Sequence, residues 1–359
     1  RARLLWNPDE NVDALLEDFY PRFYGPAAKP MKAYWSAIFE AWEKTICTEH
    51  EYFVAPAIYT PGVMAVLRKN LAEAEQIING LQVQGRALTR NEKLYIERMR
   101  FTRYSHEITA GYISMVRAAA TECDYARAVA LGKKALAVRE ELTDMSGIFT
   151  TYRKYKVEQN GYAWWPGEIR QYEELLPFTD GTKGELIMKL PLEWAFHRDD
   201  DNKGLARGFA AGPVDLSHWQ ANRAKLNPVN RKDYPDKWEM LRTDLYAQAQ
   251  GIRHPDHQSY TGWLWYRTDI DLKPEQTKGK VHLRFPGLFN ECWLYINGNE
   301  VAMRKQGKKW WKNDYRFEWD VDLTGQLKPG KNIIALRCHC EHHFGGMFRR
   351  PFLYRAVAE

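Results

Sequence analysis

Six consecutive residues near the C-terminal end carry two thiols, three imidazoles and one carboxylate, in the stretch CHCEHH at positions 338–343. Side chains of these types can bind a metal, transfer a proton or hold the hydroxyl groups of a ligand. A tetrahedral zinc site requires ligands that converge at about 2.0–2.3 Å. Neighbouring residues of an extended strand point to opposite faces, and no C-x-x-C spacing is present, so the pattern does not predict a zinc site.

Three interpretations of this stretch stay open. Cys338 and Cys340 can continue the inward face of a strand as small hydrophobic residues, because a free cysteine is readily buried. Glu341, His342 and His343 can hold a metal. The three histidines can instead lie on a binding surface at the end of the strand, beside Arg349.

A second candidate surface combines aromatic and basic residues. Trp310 and Trp311 follow a basic run, and adjacent aromatic residues on one strand face opposite ways, so one ring is expected to be exposed. An exposed ring among basic residues indicates binding, although packing of the tryptophan against the helical domain and a solvated basic surface are alternatives. We predict that the following residues contact a ligand: Trp310, Trp311, His339, His342, His343 and Arg349.

The stretch DDDNKG at positions 199–204 is rich in oxygen ligands and ends in glycine, as calcium-binding loops do. It lacks the later glutamate of an EF-hand, and an ordinary polar turn is the alternative interpretation. Asp199 and Asp201 are therefore the candidate ligands of a structural calcium, and no other cofactor is predicted.

Known hydrolytic and nucleotide-binding motifs are absent from the sequence: G-x-S-x-G, H-E-x-x-H, the P-loop and G-x-G-x-x-G in a strand-to-helix setting. Glu168 and Glu193 lie near tryptophans and could each be half of a glycosidase carboxylate pair, but no partner can be assigned, so we predict no catalytic residue.

The net charge of +6 is modest and no nucleic-acid motif occurs, so we expect no nucleic-acid partner. No apolar run reaches the roughly 20 residues of a membrane helix.

The chain has 359 residues, of which 45% are hydrophobic, enough for at least two cores. Helical spacing runs through residues 1–145, for example in Val12, Leu15, Leu16, Phe19 and Phe23, and predicts a helical bundle. Residues 146–176 are interpreted as a connecting segment. From residue 177 to 359 eight short segments follow a period of two, which predicts a β-sandwich. The predicted fold class is α+β, with the bundle first.

Several ordered motifs of the second half point to a known family. They are LEWAFHRDDDNKG, VDLSHW, GWLWYRTDIDL, KVHLRFPGLFNECWLYINGNEV, DLTGQLKPGKNIIALR and the closing FRRPFLY. This region resembles the sugar-binding jelly-roll domain of family 2 glycoside hydrolases. The resemblance implies a galactose-binding-like jelly roll, a carbohydrate partner and, as in many such domains, a structural calcium.

The first half, beginning RARLLWNPDENVDALL, resembles the segment that follows the catalytic barrel in large bacterial glycoside-hydrolase-like proteins. The chain shows no barrel pattern and starts at Arg1 without a methionine, so we expect an upstream barrel as a partner. The resemblance also implies a secreted or periplasmic location.

These observations predict a non-catalytic accessory region that binds a poly- or oligosaccharide by aromatic stacking and polar or basic groups. The basic cluster around residues 304–312 makes an acidic polysaccharide one candidate. Two alternatives stay open. One is a purely structural region that buttresses the upstream barrel, with Trp164 and Trp165 buried between domains; the other is a glycoside hydrolase with its site at the domain crevice.

Overall fold

A computed structural model of the chain describes residues 7–45, 51–83, 85–145, 164–223, 235–256, 259–289, 291–305, 317–341 and 345–357. Contacts between residues divide the chain into two compact units. The first holds residues 1–44, 58–112 and 134–155, and the second holds residues 45–57, 113–133 and 156–359. Helices precede antiparallel sheets along the chain, so the α+β class is confirmed. The domain limits at residues 145 and 177 stay predictions.

The helices of the described residues have the following bounds: α1 Val12–Tyr24, α2 Ala28–Glu43, α3 Glu51–Ile58, α4 Pro61–Gln82, α5 Arg90–Ala120, α6 Tyr125–Met145, α7 Trp164–Leu175 and α8 Ser217–Asn222. Short 3-10 turns lie at Gly25–Ala27, Leu176–Phe178, Gln248–Gln250 and Pro274–Thr277. None of these helices is long and apolar enough to cross a membrane.

Helix α1 begins and ends where local chemistry favours it. The side chain of Asn11 accepts a hydrogen bond from the Ala14 amide at 3.0 Å, and Gly25 ends the helix with a φ of +56°. The helical spacing of Val12, Leu15, Leu16, Phe19 and Phe23 predicts a single stripe that faces the core. This prediction is wrong in part, because Phe19 is 41% exposed and Val12 is 50% exposed. The buried residues of α1 are the tyrosines of its other rows, Tyr20 and Tyr24.

The core of the first unit consists of apolar side chains from α1, α2, α4, α5 and the 3-10 turn Gly25–Ala27. Its buried members are Tyr20, Tyr24, Ala27, Met31, Tyr34, Met64, Leu67, Leu71, Ala74, Ile78 and Met99. The i, i+3 and i+4 spacing of these residues in α4 places them on one face of that helix.

The strands have the following bounds: β1 Gly184–Lys189, β2 Glu193–Arg198, β3 Glu239–Arg242, β4 Gly262–Leu272, β5 Val281–Phe285, β6 Leu288–Phe289, β7 Glu291–Ile296, β8 Asn299–Arg304, β9 Trp319–Asp322, β10 Gly330–Cys340, β11 Gly346–Met347 and β12 Phe352–Ala356. A four-stranded sheet has the order β1-β12-β5-β9, and a six-stranded sheet has the order β3-β2-β4-β10-β7-β8. Strands β11 and β6 form a separate pair. All the strand pairs described are antiparallel.

One apolar core joins the four-stranded and six-stranded sheets. Leu283 and Phe285 of β5 share it with Leu264 of β4, Leu294 of β7 and Leu336 of β10, and all five are fully buried. Since side chains alternate along a strand, the residues between them in the six-stranded sheet lie on its opposite face. We call that opposite face the outer face; it is built chiefly from β2, β3, β4, β7 and β10.

The dipeptide Asn297-Gly298 predicts a tight hairpin, and the structure has one there. Strands β7 and β8 pair with Ile296 opposite Asn299, so the two residues form the whole turn. Their φ values are +51° and +88°, the left-handed conformation that a two-residue hairpin of this type requires.

Candidate functional site

The outer face carries a cleft of about 420 Å³. Its floor is one row across three strands, because Ala195 of β2 is the register partner of both Met240 of β3 and Arg267 of β4. The small methyl group of Ala195 between two long side chains makes this row concave. The volume falls in the range of about 300–1,000 Å³ that is typical of small-molecule sites.

One wall of the cleft is the loop that follows β2, which contributes Pro213, Val214 and Leu216. Arg267 holds this loop, because its guanidinium donates to the carbonyl oxygen of Gly212 and, at 3.2 Å, to that of Ala211. The side chain of Arg267 is buried, and burial lowers its pKa from the ordinary value. The guanidinium is therefore used to position the loop.

The rim of the cleft is charged. Asp269 lies two residues beyond Arg267 on β4, and its Oδ2 is 2.8 Å from the Nζ of Lys331 on β10. Glu193 lies two residues before Ala195 on β2, and it is exposed. The cleft thus combines an apolar floor and wall with carboxylate and ammonium groups at its edge, a combination that suits a ligand with both C–H and hydroxyl groups.

At the other end of the outer face, aromatic and cationic side chains pack on one another. We call this group the ladder; its members are Trp263, Trp293, Arg337 and His339. The imidazole of His339 stacks on the indole of Trp263 with 4.2 Å between ring centroids. The guanidinium of Arg337 lies 3.8 Å from the centroid of Trp263 and 5.0 Å from that of Trp293. Each cation over an aromatic face contributes on the order of 0.5–2 kcal/mol. Sequence reasoning did not select Trp263, Trp293 or Arg337, although their alternation with apolar residues marks them as one face.

His339 belongs to this ladder. Its Nδ1 lies 3.5 Å from a carboxylate oxygen of Glu291 and 4.0 Å from one of Glu341. One face of the ring packs on Trp263, so the residue is half-buried among side chains of its own sheet. A ligand-binding role for His339 stays a prediction.

The cysteines of strand β10 lie on its inward face, as one of the sequence interpretations expected. Cys338 and Cys340 are buried in line with Leu336, and Cys338 is opposite Cys292 of β7 with 3.7 Å between the two sulfur atoms. Among the described residues, no group of three or more His, Cys, Asp or Glu side chains is placed to hold a metal.

Asp199 is buried and its carboxylate accepts hydrogen bonds from nearby donors. These donors are the amides of Lys203 and Gly204, at 2.8 and 2.9 Å from Oδ1, and the indole nitrogen of Trp265, at 3.0 Å from Oδ2. Asp201 forms an ion pair with Arg207 at 2.7 Å. These contacts give the calcium hypothesis no support, and it stays a prediction. The carboxylate of Asp199 instead fixes the start of the loop that forms the cleft wall.

Arg349 requires a correction. The sequence predicts that it grips a ligand at the rim, but its side chain is only 3% exposed. Its guanidinium lies 3.6 Å from the carboxylate of Glu168 and 4.9 Å from the ring centroid of Phe348. Arg349 therefore pairs with a buried acid inside the second unit and cannot reach a ligand from solvent.

The other predicted contact residues cannot be placed. Trp310, Trp311, His342 and His343 lie outside the described residues, as do the side chains of Trp164 and Trp165. Of the predicted contact residues that the structure describes, neither His339 nor Arg349 lines the cleft. The cleft itself was missed, although Glu193 was noted as a carboxylate, because its residues come from five separate parts of the sequence and form no local motif.

Comparisons with known proteins give partial likenesses. No family model matches the chain. An exo-β-D-glucosaminidase of Amycolatopsis orientalis is 29% identical over 85 residues, which is 24% of this chain and 8% of the relative. A protein of Formosa agariphila described as a putative β-glucuronidase is 24% identical over 179 residues, which is 43% of this chain and 16% of the relative. Parts of the chain are therefore similar in sequence to glycosidases, and the chain spans a small fraction of each.

Solved structures of the β-glucuronidase from Ruminococcus gnavus superpose on part of the chain. One matches with 16% identity and a TM-score of 0.36, covering 49% of this chain and 29% of that one. A complex of the same enzyme with D-glucaro-δ-lactam gives 15% identity and a TM-score of 0.36, covering 48% and 30%. Superpositions with this coverage and TM-score do not support a conclusion about function.

Proposed function

We propose that this chain is a non-catalytic, carbohydrate-binding accessory region of a glycoside-hydrolase-like protein. Residues 177–359 form a jelly-roll β-sandwich of the galactose-binding-like type, preceded by a helical bundle over residues 1–145. The sequence similarity to a glucosaminidase and to a putative glucuronidase supports a carbohydrate as the ligand. An upstream catalytic barrel and a secreted or periplasmic location remain part of the proposal.

The observation that carries the proposal is the cleft on the outer face. Met240, Val214 and Leu216 provide an apolar surface for the C–H face of a pyranose ring. Glu193, Asp269 and Lys331 stand at the edge, where the hydroxyl groups of such a ring would lie. Hydrogen bonds to charged groups contribute about 1.5–3 kcal/mol each, so a few of them together with apolar contact are enough for specific binding.

The experiment is titration calorimetry of the full chain against gluco-oligosaccharides that are neutral, carry an amine or carry a carboxylate. The variant Ala195→Leu fills the floor of the cleft between Met240 and Arg267, and it should abolish the binding that the original chain shows. The variant Ala195→Ser keeps the volume of the floor and should bind as before. Thermal unfolding of both variants controls for loss of the fold.

Binding that survives Ala195→Leu in a folded protein would place the ligand elsewhere and contradict the proposal. The absence of binding to every oligosaccharide tested would contradict carbohydrate binding as a whole. Release of reducing sugar by the purified chain would contradict the non-catalytic part of the proposal.

A further inference from the structure

Two cysteines in the core of the sheets face each other across neighbouring strands. Cys292 of β7 and Cys338 of β10 are register partners, and their sulfur atoms are 3.7 Å apart. Both residues are fully buried on the inward face of the six-stranded sheet, whereas the cleft lies on its outer face. The chemistry of this pair is therefore separate from the proposed carbohydrate function.

The backbone register determines how closely the two strands approach at this pair. In antiparallel strands, opposite residues alternate between hydrogen-bonded positions, with Cα atoms about 5.5 Å apart, and non-hydrogen-bonded positions, with Cα atoms about 4.5 Å apart. The Asn297 amide donates to the carbonyl oxygen of Ile333 at 2.8 Å, so that position is a hydrogen-bonded one. Cys292 and Cys338 each lie five residues from it along the register, an odd number, and so occupy a non-hydrogen-bonded position.

This position suits a covalent bond between the two sulfur atoms. A disulfide requires Cα atoms about 4.4–6.8 Å apart, and its sulfur atoms are about 2.05 Å apart. The expected Cα separation of about 4.5 Å lies within that range. Rotation of the two side chains about their Cα–Cβ bonds can bring the sulfur atoms together without a change of register. Cys340, the next inward residue of β10, has Gly262 of β4 as its register partner and is a matched cysteine for comparison.

A cation lies beside the pair. Arg304 of β8 is the register partner of Cys292, and its guanidinium nitrogen is 3.9 Å from the Cys292 sulfur. The thiolate is the nucleophile of disulfide exchange, and a neighbouring guanidinium stabilises it. The two-residue turn of the β7–β8 hairpin brings these side chains together, so local pairing is enough to place the cation.

We propose that Cys292 and Cys338 form a stabilising cross-strand disulfide when the chain folds in the presence of a small-molecule disulfide such as oxidised glutathione. The Cys292 thiolate attacks one sulfur of the oxidant and releases one thiol. The Cys338 thiolate then attacks the Cys292 sulfur of the mixed disulfide and releases the second. The two protein thiols lose two protons and two electrons in total, and the oxidant becomes two thiols. Without an oxidant both cysteines stay as buried thiols.

The test starts from the reduced full chain unfolded in urea, because both sulfur atoms are inaccessible once the sheets have packed. One sample is refolded with oxidised and reduced glutathione, and a second with reduced glutathione alone. Thiols are then alkylated in denaturant, and mass spectrometry of tryptic peptides locates the alkylated sites. In the first sample we expect neither Cys292 nor Cys338 to be alkylated until a reductant is added, whereas in the second both should be alkylated at once.

Thermal unfolding of the two samples measures the effect of the bridge on stability. The cysteines are 46 residues apart in sequence, so the bridge closes a long loop in the unfolded chain. We expect the midpoint of unfolding to be roughly 5–15 °C higher in the sample refolded with the oxidant.

Two variants assign the bridge to one cysteine of β10. Trypsin cleaves after Arg337 and Arg349, so Cys338 and Cys340 share one peptide, and the original chain alone does not separate them. Cys340→Ala should keep the link between this peptide and the peptide of Cys292. Cys338→Ala should lose it. The original chain and Cys340→Ala are sufficient for the assignment if Cys338→Ala does not fold.

Alkylation of Cys292 and Cys338 before reduction, in the chain refolded with the oxidant, would overturn the inference. A link that survives in Cys338→Ala or is lost in Cys340→Ala would overturn it as well, and so would equal midpoints of thermal unfolding in the two samples. None of these measurements uses a saccharide, so failure of the proposed carbohydrate function would leave them unaffected.

Discussion

The two faces of strand β10 differ in chemistry although they alternate along the same eleven residues. On the inward face Leu336, Cys338 and Cys340 are at most 1% exposed, and Leu336 and Cys338 belong to the shared core of the two sheets. On the outer face Arg337 and His339 lie half-buried against tryptophans of β4 and β7. The inward face is held by close packing, and the outer face is held by rings and charges that solvent and ligands can reach.

The largest effect is expected on the inward face. Leu336→Ala should lower the free energy of unfolding by about 2–5 kcal/mol, because it removes buried methyl groups and leaves a cavity. The matched change on the outer face is Ile333→Ala on the same strand, which should cost less because Ile333 is half-buried. Urea denaturation of both variants measures the difference. Equal losses would contradict the assignment of faces.

The next largest effect is expected on replacing Arg267, which lies on the outer face and positions the loop that forms the cleft wall. Arg267→Met keeps much of the side-chain volume but leaves the carbonyl oxygens of Ala211 and Gly212 without their donor. We expect a loss of about 1.5–3 kcal/mol in unfolding free energy and weaker saccharide binding, because the loop wall is released. Urea denaturation and calorimetry test this. Arg267→Lys should recover only part of the loss, since lysine lacks the guanidinium fork.

The ladder should contribute to stability and not to binding in the cleft. A double-mutant cycle of Trp263→Ala and Arg337→Ala should give a coupling energy of about 0.5–2 kcal/mol from the cation over the ring. Denaturation of the single and double variants supplies the cycle. Saccharide affinity should stay unchanged in all of them, and a loss of affinity would move the site from the cleft to the ladder.

The smallest expected effect concerns thiol reactivity. Burial raises the pKa of the Cys338 thiol, and burial raises the pKa of Cys123 to about 11. In a Cys47→Ser variant at pH 8, the native protein should therefore react with iodoacetamide far more slowly than the protein in urea. Because a raised thiol pKa favours the folded state below the unfolded pKa, unfolding free energy should fall as the pH rises from 9.0 towards 11. Rapid native labelling of Cys338 would contradict its place in the core.

The sequence pattern predicted secondary-structure elements well where a strand was long and its apolar and polar residues alternated. The predicted strand GWLWYRTDIDL coincides with β4, Gly262–Leu272, and the Asn297-Gly298 turn lies where its positive φ values require it. Strand β3 was missed because its four residues, Glu239–Arg242, are too few to establish a period. The stripe of α1 was misassigned because large aromatic residues lie on more than one side of that helix.

The site was harder to predict than the elements. Arg349 was expected at a surface because no local feature distinguishes a buried arginine, and its partner Glu168 is distant in the sequence. The cleft depends on register, since Ala195 becomes its floor only when it lies between Met240 and Arg267. A sequence shows alternation along one strand, but it does not show which strands become neighbours.

A crystal structure of the full chain with the oligosaccharide that binds most tightly tests the central claim most directly. The account predicts one sugar ring on Met240 and Ala195, with Glu193 within hydrogen-bond distance of the ligand. A ligand bound at another surface, with the cleft filled only by solvent, would contradict it.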